Sequence, residues 1–182
     1  MATRTIVDDE RKDSLNASFE LSLKSRRMTP QALHLLSILA ILPDGIRHLD
    51  LEAILPGDGD GAAARLRMLA LAFDEADRLR LLSPVREYVR GRAPCSETEV
   101  QRVMTFYRDL LIEYSVKVSP EGAADCTERL QPELRNIEAS IEHALVAAPA
   151  AAVAASLALA HVMRYTGFGT TAFLEKVLNA TA

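Results

Sequence analysis

Apolar positions along this chain recur first at a helical spacing, alternate briefly, and then return to a helical spacing that lasts to the end. Leu15, Phe19 and Leu23 fall every four residues, which places them on one face of a short first helix. Thr29-Pro30 follows as a start signal, with proline at the first helical position, where its missing N–H costs nothing. From Leu33 to Leu42 the chain is apolar almost all round, which predicts a helix in the middle of a core. Pro43-Asp44-Gly45 ends it with strong turn chemistry. Leu51, Ile54 and Leu55 predict a short third helix closed by Pro56-Gly57, and Gly57-Asp-Gly-Asp-Gly61 reads as a flexible polar loop. A further helix from Ala62 carries Leu66 and Leu69 on one face.

The period then changes. Leu69, Leu71 and Phe73 alternate, as do Leu79 and Leu81, around a polar turn at Asp74-Glu-Ala-Asp77. That predicts a small β-hairpin, with helix and hairpin competing for residues 69–73. Three helices followed by a hairpin is the outline of a winged helix. Ser83-Pro84 reads as the cap of a helix over Val85 to Arg90, ended by Gly91 and Pro94. Ser96-Glu-Thr-Glu99 is a capping box. Behind it Val100, Val103, Phe106, Tyr107, Leu110, Leu111 and Tyr114 form a broad stripe on a long helix. After a loop around Ser119-Pro120-Glu-Gly122, Leu134, Ile137, Ile141 and Leu145 mark another helix. Pro149 separates it from an alanine-rich helix to about Tyr165, and Gly167-Phe-Gly169 turns the chain into a last helix at Phe173, Leu174, Val177 and Leu178. The expected organisation is a polar tail or linker over 1–13, a winged-helix domain over 14–92 and an antiparallel helical domain over 93–182. The fold class is mainly α with a small β-hairpin wing.

Composition supports that outline. Hydrophobic residues make up 49% of the chain and aromatics only 5%, which favours helices packed on helices over a β-sandwich. The net charge of -4 gives no electrostatic reason to expect a polyanion partner. Cys95 and Cys126 lie far apart without metal-ligand spacing, so a reduced, cytoplasmic protein is expected. The N-terminus shows no apolar signal-peptide core, and the apolar run from Ala144 to Ala160 is mostly alanine and broken by Pro149, so no membrane partner is expected.

Little of the chain invites catalysis. No GxxxxGK[ST] loop occurs to cradle phosphates, so tight ATP binding, and with it a nucleotide cofactor, is not expected. Gly167-Phe-Gly169 is too short for a dinucleotide fingerprint. Asp58 and Asp60 suggest a calcium loop, but that pattern needs oxygen ligands where Ala62 and Leu69 stand. His34, His48, His143 and His161 are scattered, without a ligand pair, so no metal site is expected. No serine or cysteine has a base or oxyanion motif near it in sequence. The chain therefore reads as a non-enzyme. A winged helix raises DNA binding, for which Arg65 and Arg67 on the fourth helix and Arg78 and Arg80 on the wing could contact phosphates. Asp74, Glu75 and Asp77 stand beside the wing pair and would repel a backbone, and the helix lacks Asn, Gln or Lys for base edges. An interdomain or structural role for those arginines is the preferred expectation. The alternative is a DNA-binding transcription regulator with a helical partner domain.

The run SLNASFELSLKSRRMTPQALHLLSILAILPDGI, followed by AAARLRMLALAFDEADRLRLLSPVREYV, resembles the winged-helix portion of fungal NB-ARC signalling ATPases. These belong to the STAND class, which includes plant disease-resistance proteins. FYRDLLIEYSVKV and ERLQPELRNIEASIEHAL resemble the helical stretch that leads into tetratricopeptide repeats in the same proteins, and MRYTGFGTTAFLEKVLNA resembles the first repeat-like helices. The resemblance covers about residues 13–182. It implies a nucleotide-binding domain before the winged helix, repeats behind it, and a rigid module that shifts as a unit between docked states. Many members carry Met-His-Asp at the end of the wing; Leu82-Ser83-Pro84 stands there instead, without the histidine that reaches nucleotide. A regulatory face built from Ser83, Pro84, Arg86, Arg78, Arg80, Arg65 and Arg67 is the corresponding expectation, with a hinge between Gly91 and Pro94.

Overall fold

The first described residues, 16–23, are helical (α1), and Phe19 on that helix meets Tyr88 with ring centroids 5.6 Å apart. The structure is a computed structural model describing residues 16–181. Leu15 and the tail expected over 1–13 lie outside the described residues. Helix α2, Pro30–Ile41, begins as expected: Thr29 Oγ1 accepts the Ala32 N–H at 3.2 Å. Its far end is closed by Arg90, whose Nε donates to the Ala40 carbonyl at 2.7 Å. Between those ends Leu35, Leu36, Ile38 and Leu39 are wholly buried. Each such side chain stabilises the fold by about 1.5–3 kcal/mol relative to exposure. Leu33 is the exception at 36% exposed, so the helix has a solvent edge near its start.

A short strand β1 (Ile46–Arg47), a 3₁₀ turn (His48–Asp50) and α3 (Leu51–Ile54) lead to α4, Gly59–Met68. Helix α4 corrects an expectation: it begins inside the Gly-Asp-Gly-Asp-Gly segment, which is not a free loop. The end of α4 explains how helix and hairpin share residues 69–73. Leu69 is the C-cap and Ala70 takes φ 54, while the Ala70 N–H reaches the Arg67 carbonyl at 2.9 Å and the Leu71 N–H the Leu66 carbonyl at 3.0 Å. This is a Schellman closure, with buried Leu66 and Leu71 as its apolar pair. The hairpin therefore starts only at β2, Phe73–Glu75, and returns through Ala76-Asp77 into β3, Arg78–Arg80. Asp74 and Glu75 belong to the strand rather than to the turn.

Alanine in the left-handed region is strained, whereas glycine is not. Ala70→Gly should therefore stabilise the chain by about 0.5–1 kcal/mol, read as a raised midpoint in urea with unchanged slope. A lowered midpoint would contradict the closure.

The sheet has order β1-β3-β2, all antiparallel, with Ile46 opposite Leu79 and Phe73 opposite Arg80. Gly45 must be glycine: its φ is 72, and a Cβ there would meet the Leu79 carbonyl oxygen at 2.3 Å. Helix α5, Ser83–Arg92, runs through Gly91 rather than ending there, and packs with α4 against α2.

Beyond it the described chain forms only helices joined by short turns: α6 (Glu97–Lys117), α7 (Ala123–Leu130), α8 (Leu134–Ala147), α9 (Pro149–Thr166) and α10 (Thr171–Thr181). Helices α6, α8 and α9 pack on one another around Val103, Tyr107, Leu111, Ile137, Ile141 and Leu159. Helix α7, which packs on α9 and which the apolar pattern does not predict, buries only Cys126 and Leu130. Gly167, at φ 73, closes α9 in the left-handed conformation. The chain is thus mainly helical with one small antiparallel sheet. It divides into two compact units: the chain up to Ile41 with Gly45–Ser96, and Leu42–Asp44 with the chain from Glu97 onward. No helix among the described residues is long and apolar enough to cross a membrane.

Candidate functional site

The hairpin and its neighbours in the first unit concentrate charge. Short strands expose alternate side chains on both faces, so a few residues of β1, β2 and β3 bring cations and anions within reach of one another. Arg47 Nε donates to Asp77 Oδ2 at 2.7 Å. Arg67 Nη1, from the last turn of α4, reaches both Asp74 oxygens at 2.9 and 3.0 Å. His48 Nε2 lies 3.2 Å from Asp74 Oδ1, and Arg80 pairs with Glu75. Burial alone would raise the Asp77 carboxyl, but the hydrogen bond and charge of Arg47 outweigh it and hold the group below its ordinary value.

The residues expected to form one regulatory face are therefore placed differently. Arg65 is exposed on α4 and makes no ion pair among the described residues. Arg67 and Arg80 are tied to the hairpin acids Asp74 and Glu75. Arg78 is buried and donates to the Gly45 carbonyl at 3.3 Å, so it serves the turn before β1 and not an exposed face. Ser83 and Pro84 are exposed at the start of α5, and Arg86 is half-buried one turn on. Ser83 does not cap that helix. The cap is Leu82, whose backbone is still extended, so Ser83 already sits inside the first turn, where its hydroxyl is not placed to receive the free amides.

A second polar cluster, which the apolar pattern did not predict, lies inside the second unit. Asn136, fully buried on α8, accepts the Asp44 N–H at 3.0 Å through Oδ1 and donates through Nδ2 to Glu133 at 2.9 Å. Arg135 donates to Asp44 twice, from its backbone N–H at 3.1 Å and its Nε at 2.8 Å, and Arg129 lies 3.5 Å from Glu133. Glu138, on the same helix, has its carboxyl raised by burial first, then by the negative charges of Glu142 and Asp44. The signal was present: Glu133, Asn136 and Ser140 repeat at the same helical spacing as the apolar stripe of α8. Glu133 and Asn136 are held by each other, while Ser140 donates to the Ile137 carbonyl at 2.7 Å.

Near the end of the described chain, α9 and α10 border a groove of about 240 Å³ lined by Val153, Leu157, Leu174 and Leu178. Leu157 and Leu178 are both largely exposed. Burial pushes the Cys126 thiol up, with Asp125 adding to the shift and Lys117 opposing it. No group of three His, Cys, Asp or Glu suited to a metal ion occurs among the described residues. Compared with known family models, curated proteins and solved structures, the chain matches none.

Proposed function

We propose that this chain is a non-catalytic regulatory and interaction segment of an NB-ARC/STAND-type signalling ATPase, working in the cytoplasm. Its partners would be the nucleotide-binding domain and the downstream repeats of the parent chain. It would hold and pass on the state set by nucleotide bound elsewhere. The observation that carries this choice over DNA binding is the pairing of the hairpin cations. Arg47, Arg67, His48 and Arg80 each face a carboxylate of the wing, so little uncompensated positive charge is left for a phosphate backbone. A mixed-charge surface of this kind suits a protein partner. The exposed leucines beside the α9–α10 groove offer an apolar edge on which a further helix of a tetratricopeptide-like array could stack.

Duplex DNA provides the test. The chain should show only weak, sequence-blind affinity that vanishes near physiological salt, because few phosphates would be neutralised. A winged-helix regulator would keep a preferred sequence there, about a thousandfold or more tighter than non-specific duplex. Selection from random duplexes decides between them: an enriched motif whose binding is lost in Arg65→Ala/Arg67→Ala would overturn the proposal. A phosphate loop encoded about one domain upstream of Met1 would support it directly.

A further inference from the structure

Three hydroxyls in this chain stand directly before proline: Thr29, Ser83 and Ser119. Two are committed to the fold. Thr29 Oγ1 accepts the Ala32 N–H at 3.2 Å, and Ser119 Oγ accepts the Gly122 N–H at 3.0 Å. Ser83 differs in both respects that matter. It is exposed, between Leu82 at 57% exposure and an exposed Pro84, and its hydroxyl bonds to nothing among the described residues. The backbone leading into it is extended at Leu82, with φ -64 and ψ 145, so only the first turn of α5 has to open for an enzyme to take this stretch as a strand.

We propose that Ser83 is the phosphoacceptor of this chain for a serine/threonine kinase that selects proline after the acceptor. The kinase would pass the γ-phosphoryl group of ATP to Ser83 Oγ. A phosphorus–oxygen bond forms to Oγ, the bond from the γ-phosphorus to the bridging oxygen breaks to leave ADP, and the serine proton goes to the kinase's base. The product suits its place. Helix α5 has no acidic residue in its first turn, so a phosphate there meets the positive end of the aligned peptide dipoles without a carboxylate beside it. Arg86, three residues on, favours the added charge, and Glu87, four on, opposes it at one turn's remove. Modification would therefore tighten the start of α5, the helix packed on α2, and turn the neutral Leu82-Ser83-Pro84 corner into an anionic one. None of this depends on which parent protein the chain serves.

The test uses the full 182-residue chain, ATP and a proline-directed kinase, with phosphate mapped by mass spectrometry against short peptides carrying each of the three sites. Each site's rate in the folded chain is divided by its rate in the peptide. Ser83 should keep the highest of the three ratios, within about threefold of its peptide because only one helix turn has to open, while Thr29 and Ser119 should fall about tenfold or more, since their hydroxyls must also leave folded partners. A Ser83 ratio as low as theirs, or total incorporation unchanged in Ser83→Ala, overturns the proposal. Amide exchange in α5 should then slow roughly two- to fivefold on phosphorylation, the size expected for a charge at a helix N-terminus. Faster exchange would show that phosphate does not belong there.

Discussion

Replacing Leu36 with aspartate should unfold the first unit. Leu36 is wholly buried on α2, which packs against α4 and α5, and α2 itself carries no Lys or Arg. The substitution removes the burial of a leucine, leaves a cavity, and places a carboxylate where water cannot reach it. Together these cost on the order of 5 kcal/mol or more, comparable to the whole stability of a small domain. Leu33→Asp supplies the control. Leu33 lies three residues earlier on the same helix but 36% exposed, in the first turn, where a negative charge is favoured by the peptide dipoles. Its cost should stay within about 1 kcal/mol. Circular dichroism melts of the two variants should therefore diverge sharply. Equal melting would mean that the buried face of α2 has been assigned wrongly.

How far the sequence alone leads can be judged element by element. Helices α2, α6 and α9 were legible because each carries a long apolar stripe and a strong start signal: Thr29-Pro30, Ser96 before Glu97, and Pro149. The hairpin was legible from its alternation, but its bounds were not, because the Schellman closure at Ala70 depends on a left-handed alanine that no propensity favours. For helix α4 the pattern predicts a start at Ala62, since three glycines in five residues argue for a loop; burial of Gly59 and Ala62 overrides that preference. Helix α7 leaves no signal in the sequence because it is short and buries only two side chains, too few to make a periodic pattern. Of the candidate face, the charge pairing of Arg67 and Arg80 with hairpin acids is foreshadowed by Asp74, Glu75 and Asp77. The burial of Arg78 is not, since alternation places a residue on a face without saying which face is covered. The polar cluster around Asn136 was hidden for a different reason: a stripe counted only by its apolar members passes over polar residues at the same spacing.

Replacing the buried Asn136 amide with an acid should make stability depend on pH. Asn136→Asp is nearly isosteric and can still accept the Asp44 N–H, but it cannot donate to Glu133. A carboxylate oxygen would then face the Glu133 carboxylate at about the present 2.9 Å, inside a fully buried site. Two carboxylates so close cannot both ionise cheaply, so the folded pair would hold a proton well above the ordinary carboxylate range. In the unfolded chain both groups ionise at ordinary values. The folded pKa is thus raised, and the penalty is absent at low pH and grows as pH rises through that range. Near neutral pH the loss relative to the parent chain should be about 3 kcal/mol or more, because Arg129, 3.5 Å from Glu133, already pairs with that carboxylate and a second buried one exceeds it. Asn136→Ala separates charge from hydrogen bonding. It also leaves the Asp44 N–H and the Glu133 carboxylate short of a partner, at about 1–3 kcal/mol, but it adds no second acid and should show no comparable pH dependence. Urea titrations of all three proteins at neutral and mildly acidic pH give the comparison. The deficit of Asn136→Asp should shrink toward that of Asn136→Ala as pH falls. A deficit independent of pH would mean that the introduced carboxylate and Glu133 do not meet, and that the buried network is held by other groups.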